Sequence, residues 1–112
     1  MTRHKPLPLS VIAMYEPLAR KLGVSRVARS SKGFLTAYKR AGGRLSSMTE
    51  AWRRKREAFI ARHKAQALAN DEPLWIDGLP TRRHLAMIMW AWSPRPKDLR
   101  ARAKHAVGRQ KP

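Results

Sequence analysis

The chain is 112 residues long, 43% apolar and free of cysteine, with 25 Lys and Arg against seven Asp and Glu, for a formal net charge of +18. This composition is globular rather than disordered throughout, and it excludes disulfide frameworks, cysteine-based zinc sites and thiol nucleophiles. Positive charge on this scale repels itself in a compact chain and attracts phosphate at long range, so a polyanion is the expected partner, nucleic acid first.

At this length a single domain is expected, and no period of about 20 to 50 residues recurs. At the start, Arg3, His4 and Lys5 precede the apolar stretch Leu7 to Tyr15 in the manner of a signal peptide. Pro6 and Pro8 interrupt it, no small-residue cleavage site follows, and the run is far short of the ~20 residues that span a bilayer. The expectation is an intracellular protein without a membrane partner, and without a transit peptide because helical patterning begins so early.

Every strong periodic signal is helical. Ser10 is placed as the cap of a first helix with Val11, Tyr15, Leu18 and Leu22 on its apolar side and Gly23 as its stop. Pro17 is expected to kink that helix or restart it. A second helix is read over Lys32 to Ala41, ended by Gly42. Ser47 and Glu50 have the spacing of a capping box for a long third helix reaching about Ala69, with Glu50 and Arg54 as an i, i+4 ion pair. On it Trp52, Phe59 and Gln66 or Ala67 share one face, and the basic residues populate much of the rest. Leu74 to Ile76 reads as a short extended stretch. Thr81 caps a helix over Arg82 to Trp92, apolar all round from Leu85 and therefore central, between the first and third helices, with Ser93 and Pro94 as its stop. Lys97 to Val107 forms a last, thin helix closed by Gly108, its apolar face too weak to dock firmly and expected to order only on a partner. The expected architecture is an all-α compact bundle of four or five helices over residues 1–94, followed by a basic C-terminal tail over 95–112.

The cations are unevenly spread. Eight lie between Arg20 and Arg44 with no acid, six between Arg53 and Lys64 with only Glu57, and seven from Ser93 onward with only Asp98. Asp71, Glu72 and Asp77 gather in the loop from Asn70 to Pro80, which is expected to face away from the polyanion. Candidate phosphate contacts are therefore Arg20, Lys21, Arg26, Arg29, Lys32, Lys39 and Arg40 in the first stretch. Arg53, Arg54 and Arg56 follow in the second, and Arg82 and Arg83 stand in the first turn of the fourth helix. That last position disfavours cations by a few tenths to about 1 kcal/mol each, a cost that a phosphate held by the Thr81 hydroxyl and the two guanidinium groups would reverse. The opposing reading has both arginines in solvent or paired with Asp77.

Leu18 to Arg29, LARKLGVSRVAR, resembles the front half of a helix-turn-helix, with Ser25 able to cap a second helix and Arg26, Arg29 and Ser30 as its contacts. Against it, Arg29 and Lys32 fall where that motif is apolar, and a glycine-terminated helix followed by a basic turn is the preferred reading. The four tryptophans suit core packing better than base stacking. Trp90 and Trp92, two apart, cannot share a helix face, and Trp75 is read as an anchor of its loop. Catalytic residues, metal ligands and cofactors are not expected: the histidines are scattered one per segment, and neither Walker loop, nucleophile elbow nor paired carboxylates occur.

The phrases GFLTAYKRAGG, AWRRKREAFIARHKAQ and PTRRHLAMIMWAWSP resemble stretches of the uncharacterised small basic proteins encoded in phage and large-virus genomes, over Arg29 to Pro94. The resemblance implies no activity or residue roles, only a setting in which small basic proteins handle the genome. The function expected is binding of nucleic acid, DNA ahead of RNA, mainly through phosphates and with weak sequence specificity, in a nucleoid or a virion. An RNA-binding or ribosome-associated protein is one alternative. A structural or adaptor protein is another, holding an acidic partner protein on its basic faces and docking a second time through Leu74, Trp75 and Ile76.

Overall fold

In the computed structural model, residues 6–99 are described. Helix α1 (Leu9–Leu22) buries Val11, Ile12, Tyr15, Leu18 and Ala19, the i, i+4, i+7 side of its sequence. Its cap is Pro8, whose carbonyl accepts from the Val11 and Ile12 N–H groups; Ser10, expected as the cap, lies inside the first turn. The helix runs through Pro17 rather than restarting there. Ala13 and Pro17 are both exposed, so the Ala13 carbonyl that loses its i+4 donor lies on the solvent side of the helix, where the loss costs least. Leu22, expected in the core, is 39% exposed. Gly23 then takes a left-handed φ of 68°, and its N–H returns to the Ala19 and Arg20 carbonyls.

Helix α2 (Arg26–Arg29) is a single turn, and α3 (Phe34–Arg40) packs directly against it. Gly33 lets the two approach: a Cβ at that position would stand 1.9 Å from the Val27 carbonyl oxygen and 2.3 Å from that of Ala28. Helix α3 starts two residues later than the sequence pattern indicated, because Gly33 takes the cap position and Lys32 lies in the preceding turn. Gly42, the expected stop, has a positive φ and donates its N–H to the Lys39 carbonyl.

A turn of 3-10 helix (Leu45–Ser47) leads to α4 (Glu50–Ala69). The cap of α4 is Thr49, whose hydroxyl oxygen accepts from the Trp52 N–H at 3.2 Å; Ser47 is consumed by the 3-10 turn, so the capping box read from Ser47 and Glu50 is not formed. The Glu50–Arg54 pair does form, at 2.8 Å. The inward face of α4 runs Trp52, Arg56, Phe59, Ile60, His63, Ala67, helical spacing with an arginine in its middle.

Two short strands follow, β1 (Trp75–Ile76) and β2 (Leu79–Pro80), paired antiparallel with Trp75 opposite Pro80 and Ile76 opposite Leu79. Asp77 and Gly78 connect them with φ of 53° and 78°, the two left-handed residues that a type I′ hairpin requires. The extended stretch expected over 74–76 is thus one arm of a hairpin.

Helix α5 (Arg82–Ile88) is capped by Thr81, whose oxygen accepts from the His84 N–H. It buries His84, Leu85, Met87 and Ile88 and packs against both α1 and α4, the central position its apolar sequence implied. It ends four residues before Trp92. Ala91 is left-handed at φ 63°, and the Trp92 and Ala91 N–H groups return to Met87 and Ile88, a Schellman closure built without glycine.

This turn is held by Arg56. Its Nε donates to the Trp90 carbonyl at 2.8 Å and its Nη2 to the Ala91 carbonyl at 2.8 Å, so a guanidinium satisfies the end of α5. Around it, Trp90 is sandwiched between Phe34 and Phe59 with centroids at 4.7 and 4.4 Å, and Phe34 stacks in turn on Tyr38. Trp92 leaves in another direction, with Lys64 over its ring, as the two-residue spacing required.

The two ends of the described chain join the core. The Leu7 N–H donates to Ala91, the Tyr38 hydroxyl to the Leu7 carbonyl, and the Tyr15 hydroxyl to the Leu99 carbonyl. Leu99 is fully buried. The folded body therefore passes the boundary expected at residue 94, and residues 96–99 already form a helical turn. The remainder of the expected last helix lies outside the described residues.

Candidate nucleic-acid interface

The last turn of α1 carries Arg20 and Lys21, both exposed, at the helix end whose dipole favours cations. The chain turns at Gly23 and places α2 beside them. The Arg26 guanidinium lies over Gly23, where an added Cβ would be 3.1 Å from its Nη2. The Arg29 Nε donates to the Val24 carbonyl at 2.9 Å, which fixes the guanidinium plane and leaves both terminal amino groups free to point outward. From α5, Arg82 reaches across and donates to the Leu22 carbonyl at 2.8 Å, so it too stands at the end of α1. From α3, Lys39 approaches Glu16 of α1.

Glu16 is the sole acid before Glu50 in the sequence, and it sits between Arg20 and Lys39. Its side chain is largely buried; Lys39 Nζ is 2.6 Å from Oε1 and Arg20 Nη2 is 3.8 Å from Oε2. The Lys39 contact is a charge contact without hydrogen-bond alignment, since Oε1 has no aligned donor among the described residues. Of these six cations from four helices, Arg20, Arg29 and Lys39 line one cleft with Glu16, while Arg26 and Arg82 lie by the turn at the end of α1.

The other candidates divide. Lys32 and Arg40 are exposed without an acidic partner among the described residues, Lys32 in the loop before α3 and Arg40 beside a shallow pocket lined by Ser47, Thr49 and Trp52. Arg54 is tied to Glu50 on the outer face of α4, and Arg53 turns back to donate to the Met48 and Leu45 carbonyls. Arg56 is a correction: it is buried in the core, where desolvation lowers its pKa despite the opposing influence of Tyr38 and Glu57, and it reaches no outside ligand.

Arg83 is also committed internally. It pairs with Glu72 at 2.7 Å and donates to the Gln66 side-chain oxygen at 2.7 Å and to His63 Nδ1 at 2.9 Å. Its acidic partner is Glu72 and not Asp77, because the hairpin turn carries Asp77 away while the residue ending the α4 loop folds back over α5. The acidic loop accordingly touches the basic region instead of facing away: Glu72 lines the same cleft as Gly23, Arg82 and Arg83. A phosphate shared by Arg82 and Arg83 would have to displace both this carboxylate and the Leu22 carbonyl.

The helix-turn-helix resemblance does not extend into three dimensions. Helix α2 has four residues, about 6 Å at 1.5 Å per residue, too short to lie along a groove. Ser25, expected as its cap, is left-handed at φ 55° and makes no capping hydrogen bond. Arg29, at a position the motif keeps apolar, is accommodated by bonding its own turn.

The His84–Ser93 pair is closed off from solvent, with His84 fully buried and Ser93 2% exposed. His84 Nδ1 lies 3.1 Å from the Leu74 carbonyl and so carries the proton, which leaves Nε2 to accept from the Ser93 hydroxyl at 2.8 Å. Burial pushes its pKa down to about 4, so the ring is neutral. Trp75 packs edge-on against it at 4.9 Å, the loop anchor its sequence suggested. Among the described residues no three His, Cys, Asp or Glu side chains are grouped to hold a metal, and no helix is long and apolar enough to cross a membrane.

Sequence reasoning found the cations at the α1 end but not Glu16, which organises them; its isolation in a long acid-free stretch was the available signal. No protein-family model, curated protein or solved structure matches this chain.

Proposed function

We propose that this protein binds nucleic acid through backbone phosphates, duplex DNA ahead of RNA, with little sequence selectivity and without catalysis. The observation that supports the reading is that Arg20, Lys21, Arg26, Arg29, Lys39 and Arg82, drawn from four helices, stand along the C-terminal half of α1 and the turn that follows it, with Glu16 beside Arg20 and Lys39 and Glu72 beside Arg82. Cations within one Debye length, about 8 Å at physiological ionic strength, of a docked phosphate act on it together. Each phosphate neutralised releases condensed counterions, which makes binding favourable and steeply salt-dependent.

Weak selectivity is expected because α2, which carries Arg26 and Arg29, is a single turn, and phosphate contacts position a protein without reading bases. Packaging, protection or architectural organisation of a genome, in a nucleoid or a virion, fits such a binder. For the adaptor reading, Trp75 is half-buried against the core, while Ile76 beside it is 57% exposed.

The test is competitive binding of the full chain to duplex DNA, single-stranded DNA and duplex RNA across a salt series reaching physiological ionic strength. Affinity retained there with duplex DNA preferred is the expected result. Preference for duplex RNA would transfer the reading to an RNA-binding protein, and collapse of all three would leave only generic attraction between charges.

A further inference from the structure

We infer that the cleft between α1, α2 and α3 is a discrete pocket for a single phosphate group, held by Arg20, Arg29 and Lys39, with Glu16 as the residue that positions the cations. The inference rests on the phosphate-binding reading above and narrows it from a basic surface to one site. The cleft has a volume of about 160 Å³ and is lined by Glu16, Arg20, Arg29, Leu35, Thr36 and Lys39. At about 30 Å³ per water it has room for a tetrahedral oxyanion with part of its hydration.

Charge selects the ligand. Three cations face one carboxylate, so the pocket retains two unopposed positive charges. Glu16 offsets no more than one of the three charges, with Lys39 at 2.6 Å from one of its oxygens and Arg20 at 3.8 Å from the other. It acts as a buried post that holds two long side chains at the rim and reduces the conformational freedom they would lose on binding. Arg29 is oriented separately, through its Nε bond to the Val24 carbonyl, and presents its two amino groups as a planar fork. The Thr36 hydroxyl is spent on the Ser30 carbonyl at 2.6 Å, which fixes the wall and leaves the guanidinium and ammonium groups as the donors. Planar forks on two sides with a point charge on the third suit a phosphate better than a carboxylate, which would leave one donor unmatched.

The test separates a built pocket from bulk charge by using substitutions that keep the charge. Isotope-labelled full-length protein is titrated with inorganic phosphate against chloride at matched ionic strength, following the side-chain N–H signals of Arg20, Arg29 and Lys39. In parallel, duplex DNA affinity is measured for wild type, Arg29→Lys and Arg20→Lys. The expected result is a saturable phosphate shift of those signals and a roughly three- to tenfold loss of duplex affinity in each variant at unchanged net charge.

Signals that respond to phosphate no more than to chloride, or variants that bind like wild type, would overturn the pocket while leaving the nucleic-acid reading intact. Conversely, saturable phosphate binding that Arg29→Lys weakens, in a protein that does not hold duplex at physiological salt, keeps the pocket and ends the nucleic-acid reading, making a free phosphate or phosphomonoester the ligand. Should Arg29→Lys unfold through loss of the Val24 bond, Arg20→Lys decides by the same criteria, because among the described residues its guanidinium pairs with the Glu16 carboxylate alone.

Discussion

Replacing Arg56 with alanine removes a buried cation that carries no counter-carboxylate within ion-pair distance among the described residues, and the cost can be worked from its contacts. Two charge-assisted hydrogen bonds are lost, to the carbonyls of Trp90 and Ala91. Such bonds contribute roughly 1.5–3 kcal/mol each. The Ala91 carbonyl keeps the Leu7 N–H at 2.9 Å, so the desolvation penalty falls on Trp90, while release of the guanidinium from its buried site offsets part of the loss. The net destabilisation is about 2–4 kcal/mol, and at about 4–8 °C per kcal/mol in a domain of this size Tm should fall by roughly 10–25 °C. Near-ultraviolet circular dichroism, which follows the packing of Trp90 between Phe34 and Phe59, is the assay, with duplex binding measured well below the new Tm. Affinity per folded molecule should be unchanged apart from the loss of one distant charge. A variant that melts within about 2 °C of wild type yet loses affinity as Arg26→Gln does would refute the reasoning and return Arg56 to the interface.

Acid should destabilise the fold through its buried histidine. His84 has a pKa of about 4 in the folded protein against an unfolded value near 6.5, so its stabilisation is full above about pH 6.5 and is lost as pH falls toward 4. The loss approaches about 3 kcal/mol; His63, lowered by burial and then by Arg83 and Arg62, adds in the same direction. Urea melts between pH 7 and 4.5 check this, and a flat profile in wild type, or the same decline in His84→Gln, would contradict it. Gly33→Ala drives a Cβ into the Val27 and Ala28 carbonyls and should cost several kcal/mol, because backbone must move; a Tm unchanged from wild type would exclude that close approach. Thr49→Ala should cost about 1 kcal/mol and Ser47→Ala almost nothing, and the reverse order in thermal melts would restore the capping box.

Much of the fold was legible because local chemistry and tertiary packing agree. Gly23 and Gly42 end their helices, Thr81 starts α5, and the uninterrupted apolar run from Leu85 marks the central element. Where two local signals competed, contacts decided: Ser47 and Thr49 are both good caps, and the 3-10 turn consumes the first. The hairpin was announced by Asp77-Gly78, but two-residue strands are too short to alternate. Arg56 was misplaced because charge was read before position; it lies four residues after Trp52 and three before Phe59, on the inward face.

The interface was only partly legible for a different reason. A count of cations does not say which of them the protein uses itself. Arg83, Arg53 and Arg56 are consumed by Glu72, by loop carbonyls and by the end of α5, and each of those partners is distant in sequence or belongs to the backbone. What remains outward at the end of α1 is a smaller set drawn from four helices, which no linear stretch of charge delineates.

The most direct test of that assignment is the salt dependence of duplex DNA binding. In the variant Arg20→Gln, Arg26→Gln, Arg29→Gln, Arg82→Gln, the slope of log affinity against log salt should shrink by about 3 to 4, close to 0.9 per phosphate contact removed. Removing equal charge from the α4 outer face and the chain beyond α5, by Lys55→Gln, Arg62→Gln, Lys64→Gln and Lys97→Gln, should change it by less than about 1. Equal slopes in the two folded variants would contradict the account, because total charge and not its convergence at the end of α1 would then govern binding.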